Sequence, residues 1–337
     1  MPGGRSREGA GRATNHELRD LLGDDVGLCR RAITGDAGVV LPPFIDHHVH
    51  LHLIDERRLG RAGIAGVLDL GGDPVELARR TPDAMPRVAY AGAFLTAPGG
   101  YPGGRSWAPP GTVREVHDPS AHPGVNGGAA TAVDEQAEFG AAVIKVALNA
   151  AAGPVMDAAT LATIIATART HALPVVAHAE GAGMARVAID AGVDALAHTP
   201  FSERLDPSLI AAAVAIGQRW ISTLDIHRAD AANLDHARAN LEHFLAAGGS
   251  VLYGTDLGNG DLPTGVNARE LSALHEAGLR GQALLDALTD PWPGSERSQA
   301  VATFIAGNPP ASSSAVPAWL AGATVVPTEE LIADEHG

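Results

Sequence analysis

The chain has 337 residues, a formal net charge of −15 and 45% apolar residues, which suits one large domain with a substantial core. The acidic balance argues against a general nucleic-acid binder, which needs a positive surface to neutralise phosphates. Cys29 stands alone, so neither an intrachain disulfide nor a cysteine-based metal site can form, and no apolar run is long enough to span a membrane.

Residues 1–20 are basic and Gly-rich and lack an apolar segment, so they read as a flexible tail and not as a secretory signal. On that ground the chain is expected in the cytoplasm. Residues 21–43 are expected to pack with 301–337 as a small flanking appendage. From residue 44 onward, short apolar runs alternate with Ala-rich amphipathic stretches. The expected strands are FIDHHVHL, IAGVLDLG, RVAYAGAFL, AAVIKVAL, LPVVAHAE, VDALAHT, QRWISTLD and SVLYGTD. Between the later ones lie helical stretches such as DAATLATIIATARTHA, AGMARVAIDAG, DPSLIAAAVAIG and DHARANLEHFLAAGG, several stopped by Gly or Pro. Strand followed by helix, repeated, means parallel strands joined by crossovers. Eight such units predict an α/β protein whose residues 44–300 form a (β/α)8 TIM barrel, flanked by a small or rudimentary β appendage. Residues 98–128 break the rhythm: rich in Gly and Pro and without periodicity, they read as a long functional loop above the third strand. The segment from 308 reads as loop with a short strand.

The polar residues on those strands form a pattern. Alternation puts Asp46, His48 and His50 on one face of the first strand and turns His47 away. Lys145 sits in the fourth strand, His178 and His198 end the fifth and sixth, and Asp256 ends the eighth. Barrel active sites assemble at the C-terminal ends of strands, so four imidazoles, a carboxylate and a lysine are expected at one mouth. A lone histidine in an apolar strand is more often a hydrogen-bonded core residue; joint placement on several strand ends favours a metal site, since imidazole and carboxylate are the usual N and O ligands of zinc. Lys145 is the only lysine in the chain. As an ammonium it would repel cations. Carboxylated by CO2 to a carbamate, it becomes an anion able to bridge two metals, which arginine cannot do.

These residues resemble the amidohydrolase superfamily in its two-metal form. The HxH motif appears as His48-Val49-His50, and the carboxylated lysine and the strand-five, strand-six and strand-eight ligands match Lys145, His178, His198 and Asp256. The Xaa-Pro dipeptidase-like and imidazolonepropionase-like branch is nearest. Its VRDLGG-like, TPTGGH-like and GTDAG-like runs are mirrored here by VLDLGG, TAPGGYPGG and GTDLGN, and the likeness runs from about residue 38 to about residue 290. Three departures stand out. PPFID replaces PGFID, the terminal segments are short for a full flanking sandwich, and Tyr101 stands where the branch has a histidine after the glycine pair.

The resemblance implies two divalent metal ions, taken as Zn2+. His48, His50 and Asp256 would hold the more buried ion and His178 and His198 the more exposed one, bridged by carboxylated Lys145 and a hydroxide. It further implies hydrolysis of an amide or cyclic amide C–N bond, with Asp256 as proton shuttle and His227, just past strand seven, holding the substrate's oxygen or leaving group. Tyr101, Trp107, His122, Glu180 and Asn259 are candidate substrate contacts, with Arg105 and Asp261 nearby and His52 at the rim. Asp46 and Asp69 read as structural carboxylates. The same site would also suit an esterase, lactonase or phosphotriesterase, and a non-catalytic metal-containing binding protein is the alternative from another class. The expected partner is a small-molecule substrate, with no nucleic acid and no membrane; self-association is left open.

Overall fold

The computed structural model describes residues 14–81 and 84–334. Of the tail expected over 1–20, residues 1–13 lie outside the described residues, and the rest is not loose. Asn15–Leu22 is a helix capped by Thr14, whose side chain accepts from the Glu17 amide while the Glu17 carboxylate accepts from the Thr14 amide. This reciprocal pair satisfies two otherwise orphaned donors, and Leu18 and Leu22 bury the helix's inner face.

The strands run in chain order as β1 (Gly27–Arg31), β2 (Ala37–Leu41), β3 (Phe44–Val49), β4 (Ile64–Asp69), β5 (Arg87–Tyr90), β6 (Phe94–Thr96), β7 (Val113–Glu115), β8 (Ile144–Asn149), β9 (Val175–Glu180), β10 (Ala195–Leu196), β11 (Arg219–Ile221), β12 (Ser250–Leu252), β13 (Val301–Ala306), β14 (Thr324–Pro327) and β15 (Leu331–Ala333). They form an α/β fold with three sheets. One is parallel, in the order β12-β11-β10-β9-β8-β6-β7; a second is parallel, β3-β4-β5; the third is antiparallel, β14-β13-β2-β1-β15. Backbone hydrogen bonds join the two parallel sheets on both sides. The His47 amide donates to the Tyr253 carbonyl and the Leu257 amide to the His48 carbonyl, tying β3 to the chain after β12, while the Ala142 amide, just before β8, donates to the carbonyl of Tyr90 at the end of β5.

Every residue of β4 and β8 is buried, as expected of parallel strands covered on both faces. The helices supply that cover. Ala158–Thr170 is capped by Asp157, whose carboxylate accepts from the Thr160 amide, and it buries Leu161, Ile164, Ile165 and Ala168 at helical spacing. Each buried Leu or Ile contributes about 1.5–3 kcal/mol. No helix among the described residues is long and apolar enough to cross a membrane.

Three expectations need correction. The third strand, expected unbroken, is two segments in different sheets. Gly92 between them has φ 75°, and the next amide, that of Ala93, leaves the ladder to donate to Gln136 Oε1 at 2.9 Å; a Cβ at Gly92 would lie 2.2 Å from that oxygen, so only glycine permits the jog. The 98–128 loop is not wholly irregular, because β7 pairs in parallel with β6. And the segment from 308 holds the helix Val316–Leu320 as well as β14 and β15.

Candidate metal centre

The neighbouring strands β8 and β9 set one wall by register. Lys145 lies opposite Val176, Ala147 opposite His178 and Asn149 opposite Glu180, so alternation turns Lys145, Asn149, His178 and Glu180 to the same face. His48 comes from β3 and His50 from the residue after it; His198 follows β10 by two residues, and Asp256 lies four residues beyond β12. All six candidate ligands are buried.

Each imidazole is pinned through one nitrogen, which leaves the other pointing inward. His48 Nδ1 donates to the Ala197 carbonyl at 2.8 Å and His50 Nδ1 to the Gly71 carbonyl at 3.2 Å. His178 Nε2 donates to Glu180 at 3.1 Å, and that carboxylate also accepts from Asn149 at 2.7 Å. His198 Nδ1 pairs with the Thr223 hydroxyl at 2.9 Å. The free Nε2 atoms of His48 and His50 both lie 3.2 Å from Asp256 Oδ1, and His178 Nδ1 lies 3.0 Å from His198 Nε2. A neutral imidazole that donates through one nitrogen can only accept through the other. Two imidazole acceptors and a carboxylate oxygen therefore face one another around Asp256, an arrangement that repels unless a cation lies between them. One ligand atom each from His48, His198 and Asp256 can be chosen so that all lie within 4.8 Å of one another. Pinning by carbonyls and carboxylates is how metal-binding histidines are oriented.

The electrostatics agree. Burial, reinforced by neighbouring cationic groups, holds His48 and His198 well below the usual imidazole range, and burial also lowers His178, so they present the neutral form that metals take. For Asp256, burial pushes the carboxyl upward, and positive charge on the side of His48, His50 and His198 brings it well below the carboxylate range, a charge that neutral rings do not supply and a bound cation would. Its backbone is left-handed at φ 58°, and Thr223, which holds His198, has φ 47°. Only three non-glycine residues among those described are left-handed, and two serve this site, a placement typical of functional strain.

Lys145 is 1% exposed and its Nζ has no hydrogen-bond partner. Burial pushes it down to about 7, against the pull of Asp256 and Asp69. An unpartnered buried amine is costly, and much of it is the free amine, the form that reacts with CO2 (RNH2 + CO2 → RNHCOO⁻ + H⁺). The donor set and this orphaned amine together fit a metal centre.

Above the cluster lies a cavity of about 480 Å3 lined in part by Tyr101, Trp107, Glu180, His227 and Asn259. Tyr101 stacks on His178 with ring centroids 4.9 Å apart, and Asn259 donates to Asp256 Oδ2 at 2.8 Å. His122 does not belong to this group: it is exposed and does not line the cavity, because its loop packs outward, where the Pro119 carbonyl accepts from Thr163. Arg105 is exposed with its guanidinium over Tyr101, and His52 pairs with the Trp107 carbonyl at the rim. Asp46 accepts from the His48 and Thr255 amides, and Asp69 from those of Leu51 and Gly71; both brace backbone. Sequence reasoning missed Phe94, Asn149, Phe201, Thr223 and Asp230. Asn149 was within reach, two steps of alternation beyond Lys145.

Beneath His227, Asp225 accepts from Arg269 and Asn267, while Glu270 accepts from the Asp225 amide at 2.7 Å. Burial pushes the Glu270 carboxyl up to about 7 from an ordinary 4.5. A carboxyl whose folded value is raised stabilises fully below its unfolded value and loses that contribution as pH climbs to the folded one. Glu270→Gln should therefore gain on the wild type between about pH 4.5 and 7, by up to about 3 kcal/mol at pH 8. Paired thermal melts at pH 5 and pH 8 check this; a difference that does not change with pH would show that Glu270 is ionised throughout.

No protein-family profile matches the sequence, and no curated protein does. Solved structures do match in fold. A Xaa-Pro dipeptidase with methionine bound in its active site superposes with a TM-score of 0.66 at 18% identity, over 88% of this chain and 87% of that one. Molinate hydrolase gives 0.63 at 14%, over 87% and 83%. Ochratoxinase from A. niger gives 0.59 at 21%, over 74% and 70%. At these identities the likeness is one of fold.

Proposed function

We propose that the chain is a metal-dependent hydrolase of the amidohydrolase superfamily, in its two-metal form, cleaving an amide or cyclic amide C–N bond in a small molecule. In this reading the two parallel sheets close as a (β/α)8 barrel over residues 44–300, with 21–43 and 301–337 as the flanking unit. His48, His50 and Asp256 would hold one ion and His178 and His198 the other, and Lys145, as its carbamate, would supply further oxygen ligands. The observation that carries the reading is the convergence of imidazole and carboxylate acceptors around Asp256, each ring pinned from behind. The hydrolase names among the structural neighbours support it at the level of reaction class.

Divalent zinc bound there would polarise the substrate carbonyl and supply an ionised water at neutral pH. Asp256, on the attacking side, accepts the proton and returns it to the leaving nitrogen. His227, neutral because burial lowers it to about 4, gives a hydrogen bond to the substrate without adding charge. Glu180 and Asn149 keep His178 in one tautomer, and Tyr101 and Trp107 screen the site from water.

The test is to load the protein with zinc, measure metal by elemental analysis and assay panels of amides, lactams, esters and phosphotriesters. About two equivalents and amide turnover are expected. One equivalent after full loading would remove the two-metal reading. Ester or phosphotriester turnover alone would move the activity class, and full loading with no turnover would favour a binding protein.

A further inference from the structure

The cavity's walls say what kind of molecule enters it. Besides the histidines, four aromatic side chains line it: Phe94, Tyr101, Trp107 and Phe201. Trp107 lies edge-on to Phe94 at 6.2 Å, and Phe201 lies 4.2 Å from the His227 ring. Charge is one-sided. Glu180 and Asp230 line the wall and mouth, and among the described residues no arginine lines the cavity, while its one lysine is Lys145 in the ligand cluster. The nearby guanidinium of Arg105 sits 5.9 Å from the Tyr101 ring centroid, and that of Arg228 donates to the Asp261 carbonyl; neither lines the cavity. His227 adds no positive charge, and its Nε2 is buried without a hydrogen-bond partner.

We infer that the site takes amides carrying an aromatic group whose far end is uncharged or cationic, and that it discriminates against a carboxylate there. The inference rests on the proposed hydrolase reading and deepens it. Aromatic walls supply area and stack on a flat group, and ring faces and carboxylates both attract cations. An anion placed in the part of the cavity away from the metal ligands would lose its hydration with no fixed cation there to replace it. The discrimination separates this pocket from one built for dipeptides, whose C-terminal end carries a carboxylate.

Three acetanilides that differ only at the para position test it: methyl, aminomethyl and carboxylate. With the zinc-loaded protein, kcat/KM for the carboxylate member should fall at least about tenfold below the other two, the size of effect two carboxylates exert across a partly screened pocket. Asp230 also caps the helix Ala231–Ala246, accepting from the Ala232 and Asn233 amides; Asp230→Asn keeps that cap, since asparagine caps as well as aspartate, and should narrow the gap between the aminomethyl and carboxylate members. If none is hydrolysed, the hydrolase reading bears that failure, and calorimetric dissociation constants of the same three judge this one. The same order of affinity supports it. A carboxylate member that reacts or binds as well as the methyl one overturns it, as does failure of all three to bind.

Discussion

On the proposed two-metal reading, with Lys145 as a carbamate, Lys145→Ala should lose at least one metal ion and reduce kcat by at least about 100-fold, since even the loss of a group that merely orients a ligand costs about 10–100-fold. The amine it removes is buried and unpartnered, so the chain gives up no hydrogen bond. Acetate added to the alanine variant should recover part of both metal content and rate, because a free carboxylate can stand in for the carbamate. Lys145→Arg keeps the charge yet should behave like alanine, as a guanidinium does not form the carbamate and cannot be deprotonated. Lys145→Met is the control for folding: it fills the same volume, and its melting temperature without metal should match or exceed that of the wild type, because a costly buried amine is gone. Metal content by elemental analysis, read beside kcat, decides the matter. An arginine variant with full metal and full rate would end the carbamate's role.

Asp256→Asn should separate holding from chemistry. The amide oxygen can still face His48 and His50, but it cannot carry a proton at neutral pH. General acid–base catalysis is worth about 10²–10⁴-fold, and kcat should fall by that order. Metal content should fall less, as a neutral oxygen is a weaker ligand than a carboxylate. Asn259, which donates to Asp256 Oδ2, loses an anionic acceptor but can rotate to the amide oxygen, so the fold should be preserved. A metal-replete variant with undiminished kcat would move the proton transfer to another group, with His227 first to be tested.

The inner set was legible because it is written in periods. Asp46, His48 and His50 follow strand alternation, and Lys145 announces itself as the only lysine in a chain rich in arginine. His178, His198 and Asp256 each close an apolar run. What lay beyond reach depends on the third dimension. Nothing local in RVAYAGAFL marks Gly92 as a break; the break exists because Gln136, from a helix more than forty residues on, supplies an acceptor to Ala93. His122 and Tyr101 occupy the same Gly- and Pro-rich stretch, yet Tyr101 stacks on His178 and His122 faces away. Between them lies β7, whose pairing with β6 is short and sparsely apolar, so little in the sequence announces it. Thr223 and Phe201 reach the site from irregular segments whose direction no hydrophobic period encodes.

The antiparallel sheet has a bearing on how the molecule comes into being. β1 and β2 pair with each other locally, but Cys29 also pairs with Ala333 and Val40 with Phe304, so the outer edge of each finds its partner only across nearly the whole chain. During synthesis at a ribosome, His48 and Lys145 emerge long before the strands that complete that sheet. The edge of β2, and Phe44 behind it, whose amide donates to the Thr303 hydroxyl, must wait with their backbone groups unanswered. Non-local pairing of this kind slows folding, and an open strand edge invites association with other chains meanwhile. A nascent chain halted before β13 would carry most of its histidines in place but leave that edge bare.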